Sequence, residues 1–267
     1  MKKWKTYGSA IVFMVLVAML QTSAIGEASF VLPVSKKVPA AQSGGIIGKD
    51  DRQKIDLRKQ PYGSIVYVYV GSKLKGKGDY ASACSGTVIA KDKVLTSAVC
   101  LENINTQKTF TKGVVVPGYN NGGGYGLYNI KTYYVTGYWH RYAFYPENFA
   151  VLKIEKYKGK NIGDVVKPLS IKKAGKMKGT IVKNAGYSTT REKDPGQWGM
   201  QGKILNETVD ELMMNIDVEL SQIGSPILNR SNEINGIVVG YTYNSTMSLG
   251  LKVNDQMESF VKSVIKK

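Results

Sequence analysis

Histidine is nearly missing from this 267-residue chain: His140 stands alone, and the only cysteines are Cys84 and Cys100. Three such residues cannot complete a tetrahedral metal shell without acidic help, so a zinc centre is not expected, and no other cofactor motif takes its place. Acid is scarce as well. The chain holds 20 Asp and Glu against 37 Lys and Arg, a formal net charge of +17. An excess of that size attracts polyanions, an anionic cell-wall polymer or an acidic membrane surface among them. The lysines are scattered, as at Lys73, Lys75, Lys77, Lys172, Lys173, Lys176 and Lys178. This reads as a generally basic surface, with no specific nucleic-acid site. Long apolar runs are also lacking. The longest, from Ile11 to Leu20, falls short of the roughly 20 residues that a membrane-spanning helix needs, so an integral membrane protein is not expected.

What is present begins with an address. Lys2, Lys3 and Lys5 precede that apolar run, and Ala24, Gly26 and Ala28 follow it. This is the pattern of a secretory signal over residues 1–28. Residues 29–45, "SFVLPVSKKVPAAQSGG", have no sustained period and read as a propeptide or linker before a folded body over 46–267. Export would place Cys84 and Cys100 in an oxidising compartment, where a disulfide is the default. At a separation of 16 residues, closing that loop contributes about 3 kcal/mol in the chain-entropy model.

From Ile46 onward, short runs rich in Val, Ile, Tyr and Thr alternate with Gly, Asn and Asp turns. Examples are "SIVYVYV" (64–70), "GTVIAKDKVLTSA" (86–98), "NIKTYYVTGYW" (129–139), "GKILNETVDELMMNIDV" (202–218) and "NGIVVGYTY" (235–243). That rhythm predicts an all-β sandwich or barrel, with Asn120-Asn121-Gly122 as a hairpin candidate. Only the tail reads as helix: Asn254 is placed to cap it, and Met257, Phe260, Val261, Val264 and Ile265 form one apolar stripe. The run Gly71 to Gly78, "GSKLKGKG", nearly spells a phosphate-binding loop. It lacks the final hydroxyl and the following helix, and reads as a basic hairpin loop.

Several separated segments resemble one family. "IIGKDDRQKI" (46–55), "CSGTVIAKDKVLTSAVC" (84–100), "NFAVLKIE" (148–155), "SQIGSPILN" (221–229) and the closing stretch 235–265 occur in the order found in chymotrypsin-fold serine endopeptidases. Within that family they are most similar to the secreted glutamyl endopeptidases of Gram-positive bacteria. The resemblance implies two six-stranded antiparallel β-barrels followed by a C-terminal amphipathic helix, with the boundary between barrels near 155–170. It also implies a substrate cleft between the barrels.

The same resemblance assigns the catalytic histidine, aspartate and serine to Val99, Asn148 and Ile223. Acyl transfer by that route needs a hydroxyl nucleophile, a base to take its proton and a carboxylate to orient the base. Valine and isoleucine have no titratable atom, and asparagine carries no charge. The oxyanion position that the family fills with glycine is Ser221, and a substrate-reading histidine falls at Tyr241, so Tyr241, Ser221 and Ser225 are the candidate cleft residues. A relocated site would pair His140 with Ser221 or Ser225. The residues therefore predict a secreted pseudoprotease that binds a peptide, protein or cell-wall partner. The alternatives are a serine endopeptidase with a non-standard site and a basic, wall-associated structural protein.

Overall fold

Alternation decides the first barrel. In Ile65–Gly71 the valines 66, 68 and 70 are buried while Tyr67 and Tyr69 are half-buried on the other face, the pattern of a strand with one face on a core. The computed structural model describes residues 45–71, 81–103, 108–110, 112–120, 124–189, 194 and 196–267. The expected signal and linker segments up to residue 44, the basic run after Gly71 and the expected hairpin residues Asn121 and Gly122 lie outside them.

The first strands are β1 (Gln53–Lys54), β2 (Ile65–Gly71), β3 (Ala81–Ala90) and β4 (Lys93–Thr96). A small pair follows, β5 (Glu102–Asn103) and β6 (Lys108–Thr109), then β7 (Lys112–Pro117), β8 (Tyr128–Tyr134) and β9 (Ala150–Ile154). Strands β2-β3-β4-β9-β8-β7 close into a barrel around Val66, Val68, Val88, Val94, Val115 and Leu152. A disulfide joins Cys84 on β3 to Cys100, so the expected pairing is present.

The second barrel takes β10 (Ile181–Ser188), β11 (Gly196–Glu207), β12 (Glu211–Met214), β13 (Pro226–Leu228), β14 (Ile234–Tyr241) and β15 (Ser248–Lys252). Its strands run β11-β10-β13-β14-β15-β12, and β12 pairs back onto β11 to close the ring. β1 adds to β11 from outside, which ties the N-terminal segment to this barrel. Among the described residues no helix is long and apolar enough to cross a membrane.

The sequence run 202–218 is not one strand. It divides into the end of β11 and β12, with Thr208–Asp210 turning between them. A second departure is helical. Residues Gly137–Tyr142 form a short helix, α1, where strand was expected to continue. The Thr136 hydroxyl accepts the Trp139 N–H at 3.2 Å, and Trp139 is buried, so a cap and one core contact outweigh the β preference of the aromatics. The terminal helix α2, Asp255–Ile265, is as expected: Asn254 Oδ1 accepts from Met257 N at 2.8 Å, and Met257, Val261 and Val264 are buried.

One carboxylate clamps the far side of the second barrel. Glu207 accepts the backbone N–H groups of Met177 and Lys178 at 2.9 and 3.0 Å and pairs with Lys252. Burial works against its charge, but Lys252 and the two N–H donors prevail and bring its pKa from 4.5 down to about 2. Because the folded value lies below the unfolded one, the unfolded chain binds the proton first as pH falls. The stabilisation is complete above pH 4.5 and is lost as pH falls toward about 2. Thermal melts across that window should show Glu207→Gln with a shallower acid-side fall in melting temperature than the parent; equal slopes would refute the assignment.

Candidate functional site

The turn after β4 is a short 3-10 segment, Ala98–Cys100, and its backbone needs an acceptor. Asn148 supplies it. Its Oδ1 accepts the Val99 N–H at 2.8 Å and the Ser97 hydroxyl at 2.7 Å. Asn148 is completely buried at the end of another 3-10 turn, Tyr145–Glu147. Its Nδ2 has no partner among the described residues. Such an orphan donor costs on the order of 1–3 kcal/mol.

Facing this turn is the loop between β12 and β13. Glu219 and Gln222 cap its 3-10 turn, Leu220–Gln222, reciprocally: the Glu219 side chain accepts the Gln222 N–H, and Gln222 Oε1 accepts the Glu219 N–H at 3.1 Å. The Ile223 N–H then donates to Leu220 O at 3.2 Å, closing the turn. Ile223 is 0% exposed and Val99 5%, and both belong to the apolar cluster that fills the first barrel. The fold thus brings Val99, Asn148 and Ile223 together around hydrocarbon and one amide.

Ser85 joins the two halves. Its N–H donates to Ile223 O at 2.9 Å, its hydroxyl donates to Ser221 O at 2.9 Å, and the same oxygen accepts the Tyr187 N–H of β10 at 2.8 Å. Gly224, at φ +85°, packs so closely beneath β3 that a Cβ would lie 2.2 Å from Ser85 O and 2.3 Å from Thr96 Oγ1. Only glycine meets both demands.

The N-terminal segment braces the same loop. Arg52 forks onto both oxygens of Asp50, at 3.0 and 2.8 Å, and reaches Glu219 and Gln222 Oε1, each at 2.6 Å. The Arg52 and Glu219 side chains are both 3% exposed. Burial pulls the guanidinium pKa down, yet Asp50 and Glu219 outweigh it and hold the group above its ordinary value. Asp217 accepts the N–H groups of Ile47 and Asp51 at 2.8 and 2.9 Å, and Gly45 exchanges backbone hydrogen bonds with Val218.

The hydroxyls of the two candidate serines are engaged locally. Ser221 Oγ accepts from Thr189 N at 3.0 Å, and Ser225 Oγ accepts from Asn184 Nδ2 at 2.8 Å. Neither meets His140, which is exposed on α1. Tyr241 ends β14 inside the second barrel's cluster, packed so tightly on Gly45 that a Cβ there would lie 2.5 Å from it. Burial raises its phenol pKa, so it is uncharged at neutral pH. A cleft of about 470 Å³ opens between the barrels, lined by Lys54, Asp56, Arg58, Asn120, Tyr125 and Gln197 among others. None of Tyr241, Ser221 and Ser225 lines it. Sequence reasoning passed over Ser85, Arg52 and Glu219. Ser85 is one of three hydroxyl residues in β3, with Ser82 and Thr87, and nothing in the local pattern sets it apart. No local pattern singles out Arg52 or Glu219.

Comparison with known proteins agrees with this architecture. The family described as Trypsin matches residues 58–253. A Glu endopeptidase solved in complex with MPD is 29% identical, with a TM-score of 0.75 over 83% of this chain and 100% of its own. The protease Anisep from Arthrobacter nicotinovorans is 19% identical, with a TM-score of 0.67 over 78% of this chain and 98% of its own. A thermostable serine protease, AL20, from an extremophilic microorganism is 16% identical, with a TM-score of 0.61 over 75% and 97%. The last two likenesses speak to fold alone.

Two substitutions test the site's construction. Asn148→Ala would strand the Val99 N–H and leave the Ser97 hydroxyl only its 3.3 Å bond to the carbonyl of residue 148, and should cost about 2 kcal/mol in urea unfolding. A loss below about 1 kcal/mol would mean that water replaces the amide. Arg52→Met would leave Glu219 charged and buried, for a loss of about 3–5 kcal/mol, whereas the double variant Arg52→Met/Glu219→Leu should recover most of it. An additive double variant would show that the pair does not act as a unit.

Proposed function

The chain belongs to the trypsin family, and from that premise we propose that it is a catalytically inactive member, exported from the cell, that acts by binding a peptide or protein partner. The observation that carries this reading is the composition of the site. Where the resemblance places base, orienting carboxylate and nucleophile stand Val99, Asn148 and Ile223, two of them apolar and all three buried. Hydrolysis needs a proton to leave a hydroxyl, pass through a base and reach the leaving amine. Neither valine nor isoleucine has an atom that can hold it, and the asparagine amide does not ionise.

The backbone supports the same reading. Oxyanion stabilisation requires N–H donors aimed at the developing charge and free to bind it. The Ile223 N–H is committed to Leu220 O, and its turn is fixed from both sides by Glu219 and Gln222. Restoring a serine at position 223 would leave that donor engaged.

A partner would sit in the cleft lined by Lys54, Asp56, Arg58, Asn120 and Tyr125, where Arg58 pairs with Asp56 and Lys54 with Asp194, and Asn120 and Tyr125 add amide and aromatic contacts beside those ion pairs. Because a Glu endopeptidase is among the similar structures, a polypeptide with acidic side chains is the partner class to try first. The +17 charge favours a second reading, retention on an anionic wall polymer by electrostatics alone. Charge-only retention would vanish between low and high salt without a saturable peptide site.

The deciding experiment incubates the purified protein with Glu-containing peptides and, separately, with a serine-acylating fluorophosphonate. The expected result is no turnover and no label, with saturable peptide binding. Turnover or labelling that disappears in Ser221→Ala or Ser225→Ala would defeat the proposal in favour of a non-standard endopeptidase.

A further inference from the structure

The segment that links β8 to Asn148 has a composition that the site does not use. No Asp or Glu occurs between Glu102 and Glu147, whereas Lys108, Lys112, Lys131, His140 and Arg141 all do. Structure gathers part of this segment into one outward face. Trp139 is buried and pins α1 to the first barrel, and nothing lies within 4 Å of where a Cβ on Gly137 would stand. The other large side chains point away. Tyr138 is 62% exposed, Tyr142 65% and Phe144 49%.

These rings form a cluster. Tyr138 lies 6.3 Å from Tyr142 and 6.4 Å from Phe144, centroid to centroid, and the Arg141 guanidinium sits 5.9 Å from the Tyr142 ring. Ala143 adopts a left-handed backbone, φ 48°, that reverses the chain so that Phe144 returns to the face of Tyr138. Such a conformation is strained for alanine and is kept only where the surroundings fix it. Of the nearby acids, Glu147 is buried and accepts from the Gln256 amide, and Glu211 accepts from the Tyr145 hydroxyl.

We propose that this face is a membrane-contact surface, in which Tyr138, Tyr142 and Phe144 enter the headgroup region of an anionic lipid bilayer. Three exposed rings, with Tyr138 beside each of the other two, Arg141 against Tyr142 and no acidic residue in the sequence from 103 to 146, match what settles at a lipid interface: apolar bodies, polar tips and positive charge. The face consists of side chains standing away from a short helix, and the 470 Å³ and 590 Å³ clefts are lined by other residues. An outward face suits a surface better than an inserted chain. The remaining positive charge of the molecule supplies the second attraction that stable peripheral binding needs. This inference stands apart from the binding reading above and survives if the protein proves to be an active enzyme.

Vesicle co-sedimentation tests it, using phosphatidylcholine alone and phosphatidylcholine mixed with phosphatidylglycerol. Every variant is made in the same full-length chain, so any contribution from residues 1–44 is common to all. Wild type should partition to the mixed vesicles, and Tyr138→Ser/Tyr142→Ser/Phe144→Ser should lower that partition about tenfold without moving the melting temperature. Tyr243→Ser, at a residue 79% exposed elsewhere, should leave it unchanged, and Phe144→Trp should preserve it. Three outcomes overturn the proposal. One is a triple variant that partitions like wild type, and another is equal binding to neutral vesicles. The third is saturable binding of a polyglutamate peptide through the same residues with no vesicle binding, which would assign the face to an acidic polypeptide. If the triple variant melts early, the Phe144→Ser and Phe144→Trp pair decides by the same readout.

Discussion

One buried hydroxyl holds the arrangement together. Ser85 sits on β3 of the first barrel, donates to Ser221 O in the loop before β13, and accepts the Tyr187 N–H from β10 of the second. Its own N–H adds a bond to Ile223 O, and its carbonyl accepts from Thr96 at 2.8 Å. Four short bonds converge on a residue with no exposed surface. Because no water is there to replace them, losing any one leaves a bare donor or acceptor, and the loop from Ser221 to Ser225 is fixed relative to both barrels. The apolar contacts of Ile223 follow from that placement. So does the close packing that admits only glycine at position 224.

The loop is also braced from behind, by charge. Arg52 lies between Asp50 and Glu219, so two carboxylates face one guanidinium, with the Asp50 side chain 28% exposed and the other two side chains almost fully buried. The further donors aimed at Glu219 and Asp50 explain how this is tolerated: the Ser188 hydroxyl and the Gln222 N–H reach Glu219, and the Arg52 N–H reaches Asp50. A buried ion pair adds little stability relative to a well-packed apolar replacement, but it specifies one geometry. The specified element here is the turn Leu220–Gln222, and with it the direction of the Ile223 N–H. The residues that orient the loop therefore close it against oxyanion binding.

Much of this architecture was legible beforehand, for reasons that differ by element. Strands with one drier face, such as Ile65–Gly71, show in alternation, whereas those buried on both faces, such as Ile234–Tyr241, show as short runs rich in β-branched residues between turn residues. The disulfide follows from two cysteines and the expectation of export. α2 was readable because a capping asparagine and an apolar stripe at helical spacing coincide. α1 was not, since its aromatics favour strand and its helical state depends on Trp139 finding the core. Ser85 and the Arg52–Glu219 pair were illegible for a deeper reason. Their roles are set by partners more than a hundred residues away, and no local pattern distinguishes a buried serine or ion pair from a solvated one. Of the candidate site, the identities at 99, 148 and 223 were visible, but the closure of the loop was not.

The three substituted positions did not change alike, and the hydrogen bonds explain the difference. On the proposed reading, side chains at 99 and 223 had chemical duties only; their backbones are held by other groups, so valine and isoleucine can fill the space with hydrocarbon. Position 148 has a structural duty in addition. Its side-chain oxygen receives the Val99 N–H and the Ser97 hydroxyl, both cut off from solvent, and an apolar residue would strand the first and leave the second only its longer bond to the carbonyl of residue 148. Asparagine keeps the acceptor and removes the negative charge, which no cation at position 99 remains to balance. The spare Nδ2 is what an amide leaves behind where a carboxylate would have presented a second acceptor. On that reading, loss of chemistry is written as hydrocarbon wherever the backbone permits it, and as an amide where the backbone still needs an oxygen.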